Sequence, residues 1–255
     1  MPIKLKSEAE LDTMREAGQI VGQTLASIRE MVRPGLNLLD IEAFVEREFK
    51  SRGAIETFRG YDPLSKPPYP SNICISINDE LVHGIPRERL LEEGDIVTFD
   101  LGATYKGFVG DSAITVPVGE VSAEATNLLR VTEDALWAGI EAMGSGKHLN
   151  DVSTAIEEAI TPSGYSIVRE YTGHGVGREM HEEPQVPNYV RPFRGPPLKP
   201  GLVLALEPMV NVGERYTKEL DDRWTVSTKD GSLCCHFEHT IGIRQGQRPE
   251  VLTLP

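Results

Sequence analysis

Five side chains that could bind metal ions lie far apart in the sequence, mostly in segments typical of β-strands. Asp100 lies in TFDLG, Asp111 in VGDSA, Glu207 in LVLALEPMV and Glu238 in HFEHT, while His174 is flanked by glycines in the apparent loop YTGHGVG. A carboxylate within an apolar strand would cost several kcal/mol unless it is paired or neutral. Four carboxylates and one imidazole suit hard or borderline divalent ions, with Mn²⁺, Fe²⁺ or Co²⁺ favoured over structural Zn²⁺.

The two aspartates are predicted to face each other across a hairpin. Residues 95–104 and 107–118 alternate apolar and polar side chains around a turn at 105–106. That turn would place Asp100 and Asp111 directly opposite, with both carboxylates on one face of the sheet. A bound cation would remove their repulsion, but so would protonation or a bulge. This pair alone therefore leaves metal binding and ordinary strand aspartates equally open.

The full set of five favours a catalytic metal centre. A single histidine such as His174 is more often structural than a ligand, and each carboxylate alone has an ordinary explanation. Two ions about 3.5–4 Å apart would fit this number of ligands, with some carboxylates shared. A water between the ions would become acidic enough to supply hydroxide near neutral pH, which is the nucleophile needed for amide hydrolysis.

The helices that position these residues occur twice along the chain. Ser7 and Glu10 form a capping-box pattern that opens a first helix, and Gly53 is the expected stop of a second. GLNLLDIEAFVE from Gly35 aligns with GKHLNDVSTAIE from Gly146, an offset of 111 residues. Shared helix composition could explain part of this match. An internal duplication predicts two similar halves with the site at the seam between them.

The sequence therefore predicts a single α+β domain over residues 1–255 with pseudo-two-fold symmetry. Its halves would cover about 1–118 and 119–244, and residues 245–255 would form a tail on the surface. Proline-rich surface loops are expected at 63–70 and 192–200. Further strands are predicted at 73–78, 202–210, 224–228 and 237–243.

Composition excludes several other classes of protein. The net charge of −13 and the pI near 5.0 argue against a nucleic-acid-binding protein with a basic face. No run approaches the roughly 20 apolar residues of a membrane helix, and no signal peptide is recognisable. Cys74, Cys234 and Cys235 do not describe a disulfide framework, which favours the cytoplasm. Neither CxxC nor HExxH is present.

Five motifs, in this order, resemble those of the bacterial type I methionine aminopeptidases, which belong to the pita-bread metallopeptidases. The resemblance extends from the first helix to about residue 244. It implies a curved antiparallel sheet flanked by two helix pairs. The motifs are SINDELVHGIP at 76–86, TFDLG to GFVGDSA at 98–113, YTGHGVGREMHEEPQVPNY at 171–189, LEPMV at 206–210 and DGSLCCHFEHT at 230–240.

The resemblance also implies an activity with its cofactors and partners. The protein would remove the initiator methionine from nascent polypeptides and prefer a small second residue, with a hydroxide shared by two ions attacking the peptide carbonyl. The two divalent ions could be Co²⁺, Mn²⁺, Fe²⁺, Zn²⁺ or Ni²⁺. Nascent N-termini are the expected partners, and docking to the ribosome is left open. Neither DNA nor a membrane is expected as a partner, and a monomer is the default expectation.

The resemblance assigns a role to each candidate residue. Asp100, Asp111 and Glu238 would hold one ion, and Asp111, His174, Glu207 and Glu238 would hold the other. Glu207 would also act as general base and later as proton donor. His181 in MHEEP would stabilise the tetrahedral oxyanion. His83 in VHGIP would contact the scissile amide. From the residues alone, structural packing or a surface position would be the favoured interpretation of both histidines.

The substrate pocket implied by the family is apolar and suited to a thioether. Its positions fall on Tyr69, Cys74 and Trp224, each of which could otherwise be core. Two departures from the family pattern border this pocket. Met180 occupies a position where an aromatic residue is common, and the loop 62–68 is longer than usual. The longer loop also makes the assignment of Tyr61 as a second pocket tyrosine unsafe.

Two other functions remain open from the sequence. A proline-specific peptidase, either aminopeptidase P or prolidase, would use the same catalytic domain, but those relatives normally carry an additional N-terminal domain. The HEEP stretch and the pocket residues favour methionine instead. A pita-bread protein that has become a non-catalytic binding module would be expected to have lost metal ligands, and all five are present here.

Overall fold

The first helix begins where the sequence places its capping box. The structure is a computed structural model and describes residues 2–144 and 146–255. Helix α1 (Glu8–Met31) follows Ser7, whose hydroxyl accepts a hydrogen bond from the backbone N–H of Glu10. The Glu10 carboxylate in turn accepts the backbone N–H of Ser7 at 2.9 Å. Two N-terminal N–H groups are thereby satisfied, and the predicted start of α1 is confirmed.

Three further helices follow at the predicted places. Helix α2 (Leu38–Arg52) ends at Gly53, which has a φ of 68° and so takes a conformation that glycine adopts without strain. Helices α3 (Ala123–Ala142) and α4 (Leu149–Ile160) follow in the second part of the chain. After α4, a single 3-10 turn (Thr161–Ser163) ends at Gly164, with a φ of 78°. The division of the chain into two equivalent halves stays a prediction.

Apart from β4 and β5, which have ten residues each, the strands are short, and all pairings among the described residues are antiparallel. In chain order they are β1 (Ile55–Glu56), β2 (Cys74–Ile77), β3 (Glu80–Val82), β4 (Ile96–Tyr105), β5 (Phe108–Pro117), β6 (Ser166–Ile167), β7 (Gly173–Gly175), β8 (Glu182–Val186), β9 (Val203–Leu206), β10 (Met209–Asn211), β11 (Thr217–Glu219), β12 (Val226–Thr228), β13 (Cys234–His236), β14 (His239–Gly242) and β15 (Glu250–Val251).

The strands form four hydrogen-bonded groups. Strand β4 pairs with β1, β2 and β5, and a second group has the order β15-β14-β9-β7-β8. Two smaller groups have the orders β13-β10-β6 and β11-β12-β3. An isolated bridge between Ala113 and Glu238 connects β5 to the segment between β13 and β14. The combination of helices with antiparallel sheet confirms the predicted α+β class.

The hydrophobic core has two large clusters, one beside each helix pair. The first joins α1 and α2 to β2 and β4, through residues such as Ile28, Phe49, Ile75 and Phe99. The second joins α3 and α4 to β9 and β14, through residues such as Leu136, Ile156, Leu204 and Ile241. Within the described part of the chain, no helix has the length and apolar character needed to cross a membrane.

The predicted hairpin is present, but its turn lies one residue further along the chain. Tyr105 pairs with Phe108, so the turn residues are Lys106 and Gly107, with φ values of 48° and 79°. A two-residue hairpin turn of this kind favours glycine at its second position. Asp100 consequently pairs with Ala113, and Asp111 pairs with Gly102. The prediction that the aspartates are directly opposite is wrong, but a shift of two positions keeps them on one face.

Three predicted ligands occupy different local structures from those expected. The strand predicted at 202–210 is broken at Glu207 and Pro208, since proline has no N–H to continue a ladder. The strand predicted at 237–243 begins only at His239, and Glu238 lies in the gap after β13. His174, in contrast, lies within the short strand β7 rather than in a loop.

The C-terminal segment is not the surface tail that the sequence predicted. Strand β15 pairs with β14, and Leu252 is fully buried. The backbone of this segment lies directly against α1. A Cβ atom at Gly18 would be 2.3 Å from the carbonyl oxygen of Leu252, and one at Gly22 would be 2.1 Å from that of Thr253. The two glycines therefore permit a close approach that any other residue would block.

The two proline-rich stretches are irregular, as predicted, but they do not lie wholly on the surface. Tyr69 is buried within the stretch 63–70, and Leu198 is buried within 192–200. Tyr69 contributes to the cavity that contains the candidate site.

Candidate active site

The five candidate metal ligands converge on one cavity of about 250 Å³. Asp100 and Asp111 reach it from β4 and β5, and His174 reaches it from β7. Glu207 and Glu238 reach it from the gaps that follow β9 and β13. We call these five residues the acidic cluster. The cavity is also lined by the other candidates that the sequence analysis named: Tyr61, Tyr69, Cys74, His83, Met180, His181 and Trp224.

The donor atoms of the acidic cluster are close together without being hydrogen-bonded. Nε2 of His174 lies 3.6 Å from Oδ2 of Asp111 and 3.5 Å from Oε1 of Glu207. One ligand atom each of Asp111, His174 and Glu238 lie within 4.8 Å of one another. Such separations exceed a hydrogen bond, but they suit groups that share a cation.

Several oxygens of the cluster are buried without a partner. Among the described residues, Oδ1 of Asp100, Oδ1 of Asp111 and Oε1 of Glu238 have no hydrogen-bond donor. A buried, unsatisfied carboxylate oxygen is strongly unfavourable, and native proteins rarely keep one without a function. Divalent cations would satisfy these oxygens, so the residues present fit a metal centre.

The electrostatics of the cluster support the same conclusion. Burial raises the pKa of Asp100 to about 7. Burial, and then the neighbouring carboxylates, raise the pKa of Asp111 and of Glu207 well above the usual range. The same two causes raise the pKa of Glu238. The cluster therefore resists ionisation by itself, and bound cations would reverse that preference.

His174 is neutral and presents a ring nitrogen to the carboxylates of the acidic cluster. Burial lowers its pKa to about 3, so the ring carries a single proton near neutral pH. Nδ1 lies 2.9 Å from the carbonyl oxygen of Gly175, which can only accept, so the proton resides on Nδ1. Nε2 then carries a free lone pair, and this atom faces Asp111 and Glu207. A backbone carbonyl that fixes the tautomer in this way is a common feature of metal-binding histidines.

The two candidate catalytic histidines, His83 and His181, line the same cavity. The ring centroid of His181 lies 4.5 Å from that of His174, and its Nδ1 lies 3.2 Å from the hydroxyl of Tyr61. His83 has a φ of 61°, an uncommon conformation for a residue other than glycine. Burial lowers the pKa of His83 to about 4, so it is neutral near pH 7. Strained backbone of this type concentrates at functional sites.

One wall of the cavity is apolar and aromatic. Tyr69, Cys74 and Trp224 form a small hydrophobic cluster with Phe58, and Met180 packs against it. The rings of Tyr69 and Trp224 meet edge to face, with centroids 5.1 Å apart. Their polar atoms bond away to backbone, since the Tyr69 hydroxyl donates to the Gly84 carbonyl at 2.9 Å and the Trp224 indole N–H donates to the Pro67 carbonyl at 2.9 Å. The wall can therefore accept a thioether or another apolar side chain.

Sequence reasoning missed four residues of this region. Phe58, Pro63 and Lys66 line the cavity, and Lys66 pairs with Glu219 while lying 5.2 Å from the centroid of the Trp224 ring. The unusual length of the loop 62–68 was a signal for Pro63 and Lys66, but no motif marked Phe58. The fourth is His236, a buried residue whose Nε2 lies 3.7 Å from Oε2 of Glu207.

Known proteins match this chain along nearly its whole length. The profile of "Metallopeptidase family M24" matches residues 12–245. The chain is 48% identical over 240 residues to "Methionine aminopeptidase 1" of Bacillus subtilis strain 168, covering 94% of this chain and 95% of the relative. It is 46% identical over 253 residues to "Methionine aminopeptidase" of Clostridium acetobutylicum, covering 99% of both chains.

A solved structure is similar in fold to this chain over its whole length. The crystal structure of a methionine aminopeptidase from Thermotoga maritima superposes with a TM-score of 0.95 at 41% identity, and the match covers 100% of both chains. The fold is thus the pita-bread fold that the motifs implied. The chain belongs to metallopeptidase family M24, among the methionine aminopeptidases of the bacterial type I class.

Proposed function

We propose that this protein removes the initiator methionine from nascent polypeptides, with a preference for a small second residue, and that it uses two divalent metal ions. The proposal is carried by one observation: the acidic cluster and the aromatic wall of Tyr69, Cys74 and Trp224 line the same cavity. A methionine side chain against that wall would bring its carbonyl group to the acidic cluster. Family membership supports the same activity.

The residues of the acidic cluster would divide between the two ions. Asp100, Asp111 and Glu238 would hold one, and Asp111, His174, Glu207 and Glu238 would hold the other. Bound ions would supply a water acidic enough to give hydroxide near neutral pH, the nucleophile that amide hydrolysis needs. The assignment of Asp111 to both ions rests on its central position, since one ligand atom each of Asp111, His174 and Glu238 lie within 4.8 Å of one another.

The chain's own groups would handle the protons and the developing charge. Glu207 has a side chain only 13% exposed and lines the cavity within the acidic cluster, which suits it to accept a proton and later to pass it to the leaving amine. The Tyr61 hydroxyl can donate to Nδ1 of His181, which leaves the proton of that ring on Nε2. Nε2–H of His181 can then donate to the carbonyl oxygen as negative charge develops. His83 would contact the scissile amide.

The setting of the reaction belongs to the same proposal. The protein would act in the cytoplasm, where nascent N-termini emerge, and it would act as a monomer. Docking to the ribosome is compatible with this role. The chain would form one domain whose pseudo-symmetric halves meet at the acidic cluster.

The substrate is tested with two tripeptides. The Mn²⁺-loaded protein is incubated with Met-Ala-Ser and with Ala-Pro-Ala, and the released N-terminal residue is identified. We expect rapid release of methionine and little release of alanine. Release of alanine from Ala-Pro-Ala with Met-Ala-Ser left intact would instead indicate a proline-specific peptidase. Inactivity on both, with ions bound, would indicate a binding protein.

The division of the ligands is tested at Asp111. We expect Asp111→Asn to abolish activity and to impair binding of both ions, since the substitution removes a charge that both would share. Ion binding is measured by titration calorimetry with Mn²⁺. If the variant retained two tightly bound ions, the shared role of Asp111 would be wrong.

A further inference from the structure

His236 is a buried residue whose ring nitrogens have no hydrogen-bond partner among the described residues. The residue is 1% exposed, and neither of its ring nitrogens has a hydrogen bond within the described part of the chain. A buried imidazole without partners is unfavourable compared with an apolar side chain of the same size. The position in β13 is otherwise ordinary core, so the presence of histidine there requires a reason.

The ring of His236 faces two carboxylates. Its Nε2 lies 3.7 Å from Oε2 of Glu207 and 4.0 Å from Oε2 of Glu238. The other oxygen of Glu207, Oε1, faces His174 at 3.5 Å. The carboxylate of Glu207 therefore lies between two imidazoles. Since His174 presents a lone pair to it, His236 is the one of the two that can present an N–H.

The backbone of His236 is held firmly in place. It pairs with Met209 in the β10–β13 ladder, two residues after Glu207. The Thr115 hydroxyl donates to the carbonyl oxygen of His236 at 2.6 Å and accepts its backbone N–H at 3.3 Å. This threonine belongs to β5, the strand that carries Asp111. His236 therefore has a fixed position relative to β10, which follows Glu207, and to β5, which carries Asp111.

We propose that His236 is a positioning residue, whose Nε2–H donates a hydrogen bond to the carboxylate of Glu207 and so orients it towards the ions and the substrate. The inference rests on the proposed function, because Glu207 is the group assigned to move protons. The 3.7 Å between Nε2 and Oε2 of Glu207 exceeds a hydrogen bond by only about half an ångström, so a small adjustment of either side chain would close it. The bond satisfies a ring nitrogen that otherwise has no partner, and it leaves Oε1 available beside His174.

Direct ligation of an ion by His236 is a different arrangement, and the structure favours it less. Nε2 of His236 faces the Oε2 atom of Glu207, whereas His174 faces the Oε1 atom. His236 therefore lies behind Glu207, as seen from His174.

The test compares variants that keep or remove the N–H donor. His236→Gln retains an N–H at about the reach of Nε2, and His236→Leu removes it while keeping a buried side chain. Cys235→Ala is the matched control, because Cys235 is the adjacent buried residue in β13 and points to the opposite face, away from the cavity. For each protein, Mn²⁺ affinity and stoichiometry are measured by calorimetry without substrate, and kcat and KM are measured with Met-Ala-Ser.

We expect His236→Leu to lose roughly 10–100-fold in kcat or in Mn²⁺ affinity, since hydrogen-bond partners of metal ligands typically have effects of this size. KM should change little, and two ions should still bind at saturation. His236→Gln and Cys235→Ala should stay close to the wild type. Recovery by glutamine is the result that a purely structural histidine would not give.

Three results would overturn the proposal. The first is that His236→Leu has the same kcat and Mn²⁺ affinity as the wild type. The second is that the glutamine and leucine variants lose kcat or Mn²⁺ affinity to the same extent. The third is that both variants bind one equivalent of Mn²⁺ fewer, as expected for a ligand. If His236→Leu does not fold, His236→Asn replaces it, because its amide is too short to reach Glu207. Failure of the wild type to release methionine would refute the proposed function instead, while the Mn²⁺ affinities of the variants would still test His236.

Discussion

Replacement of Asp100 by asparagine should have opposite effects on stability with and without metal ions. Oδ1 of Asp100 is buried without a partner, and burial raises the pKa of the side chain from 3.8 to about 7. In the metal-free protein, the folded state therefore binds the Asp100 proton more tightly than the unfolded state does. The resulting stabilisation is complete below the unfolded pKa and is lost as the pH rises through about 7. Asparagine carries no charge at any pH.

The size of the effect follows from the pKa shift. A rise of about 3 units corresponds to about 4 kcal/mol in total, of which about 2 kcal/mol falls between pH 5.5 and pH 8. Between pH 5.5 and pH 8, the free energy of unfolding of the metal-free Asp100→Asn variant should therefore rise by up to about 2 kcal/mol relative to that of the wild type. Because the Asp100 side chain is partly exposed, this figure is an upper value for its own contribution. Loss of its charge also lowers the raised pKa values of Asp111, Glu207 and Glu238, which acts in the same direction.

Bound ions should reverse the sign of the Asp100→Asn effect on the free energy of unfolding. Under the proposed ligand assignment, Asp100→Asn removes a charged ligand, so the Mn²⁺-saturated variant should be less stable than the saturated wild type. The assay is urea unfolding at pH 5.5, 7 and 8, with a chelator and with excess Mn²⁺. Asp221→Asn, at an exposed position outside the cavity, serves as the control. The reasoning would be refuted if, without metal, the difference in free energy of unfolding between Asp100→Asn and the wild type did not depend on pH. It would also be refuted if that difference kept its sign with Mn²⁺.

Three further substitutions test the oxyanion role and the packing of the C-terminal segment. His181→Ala should keep its ions and lose roughly 10²–10³-fold in kcat on Met-Ala-Ser; a loss of ions would contradict its assigned role. Leu252→Ala should lower the free energy of unfolding by about 2–5 kcal/mol, because this leucine is fully buried; a neutral result in urea unfolding would mean that the segment does not pack as described. Gly22→Ala should destabilise by about 1–3 kcal/mol, although alanine normally favours a helix, because its Cβ would lie 2.1 Å from the carbonyl oxygen of Thr253. A stabilised Gly22→Ala variant would argue against that contact.

The elements that the sequence predicted well are those with local causes. The capping box of Ser7 and Glu10 starts α1, and the left-handed Gly53 ends α2. Both signals act within a few residues, so neighbouring sequence is sufficient to read them. The hairpin was found for the same reason. Its turn was placed one residue too early, although the preference of a two-residue hairpin turn for glycine at its second position points to Lys106 and Gly107.

The errors arose where distant parts of the chain decide the structure. The segment 245–255 begins with polar residues typical of a tail, and only three buried residues, 251–253, dock it against α1. The docking depends on Gly18 and Gly22, more than two hundred residues away. In the same way, Glu238 leaves the β13–β14 run to form a bridge with Ala113. Periodicity cannot reveal such contacts, because they depend on the partner strand.

The site was predicted from residue types and from motifs, whereas its assembly depends on the contact between the two core clusters. Asp100 and Asp111 lie on strands next to the first core cluster, and Glu207 and Glu238 lie next to strands of the second. The Ala113–Glu238 bridge and the hydrogen bonds of Thr115 to His236 join the two sets. Ions bound as proposed would add ligand bonds across the same junction. Metal binding should therefore stabilise both the site and the contact between the two core clusters. The sign of the Asp100→Asn effect on the free energy of unfolding consequently reports on the site and on that contact.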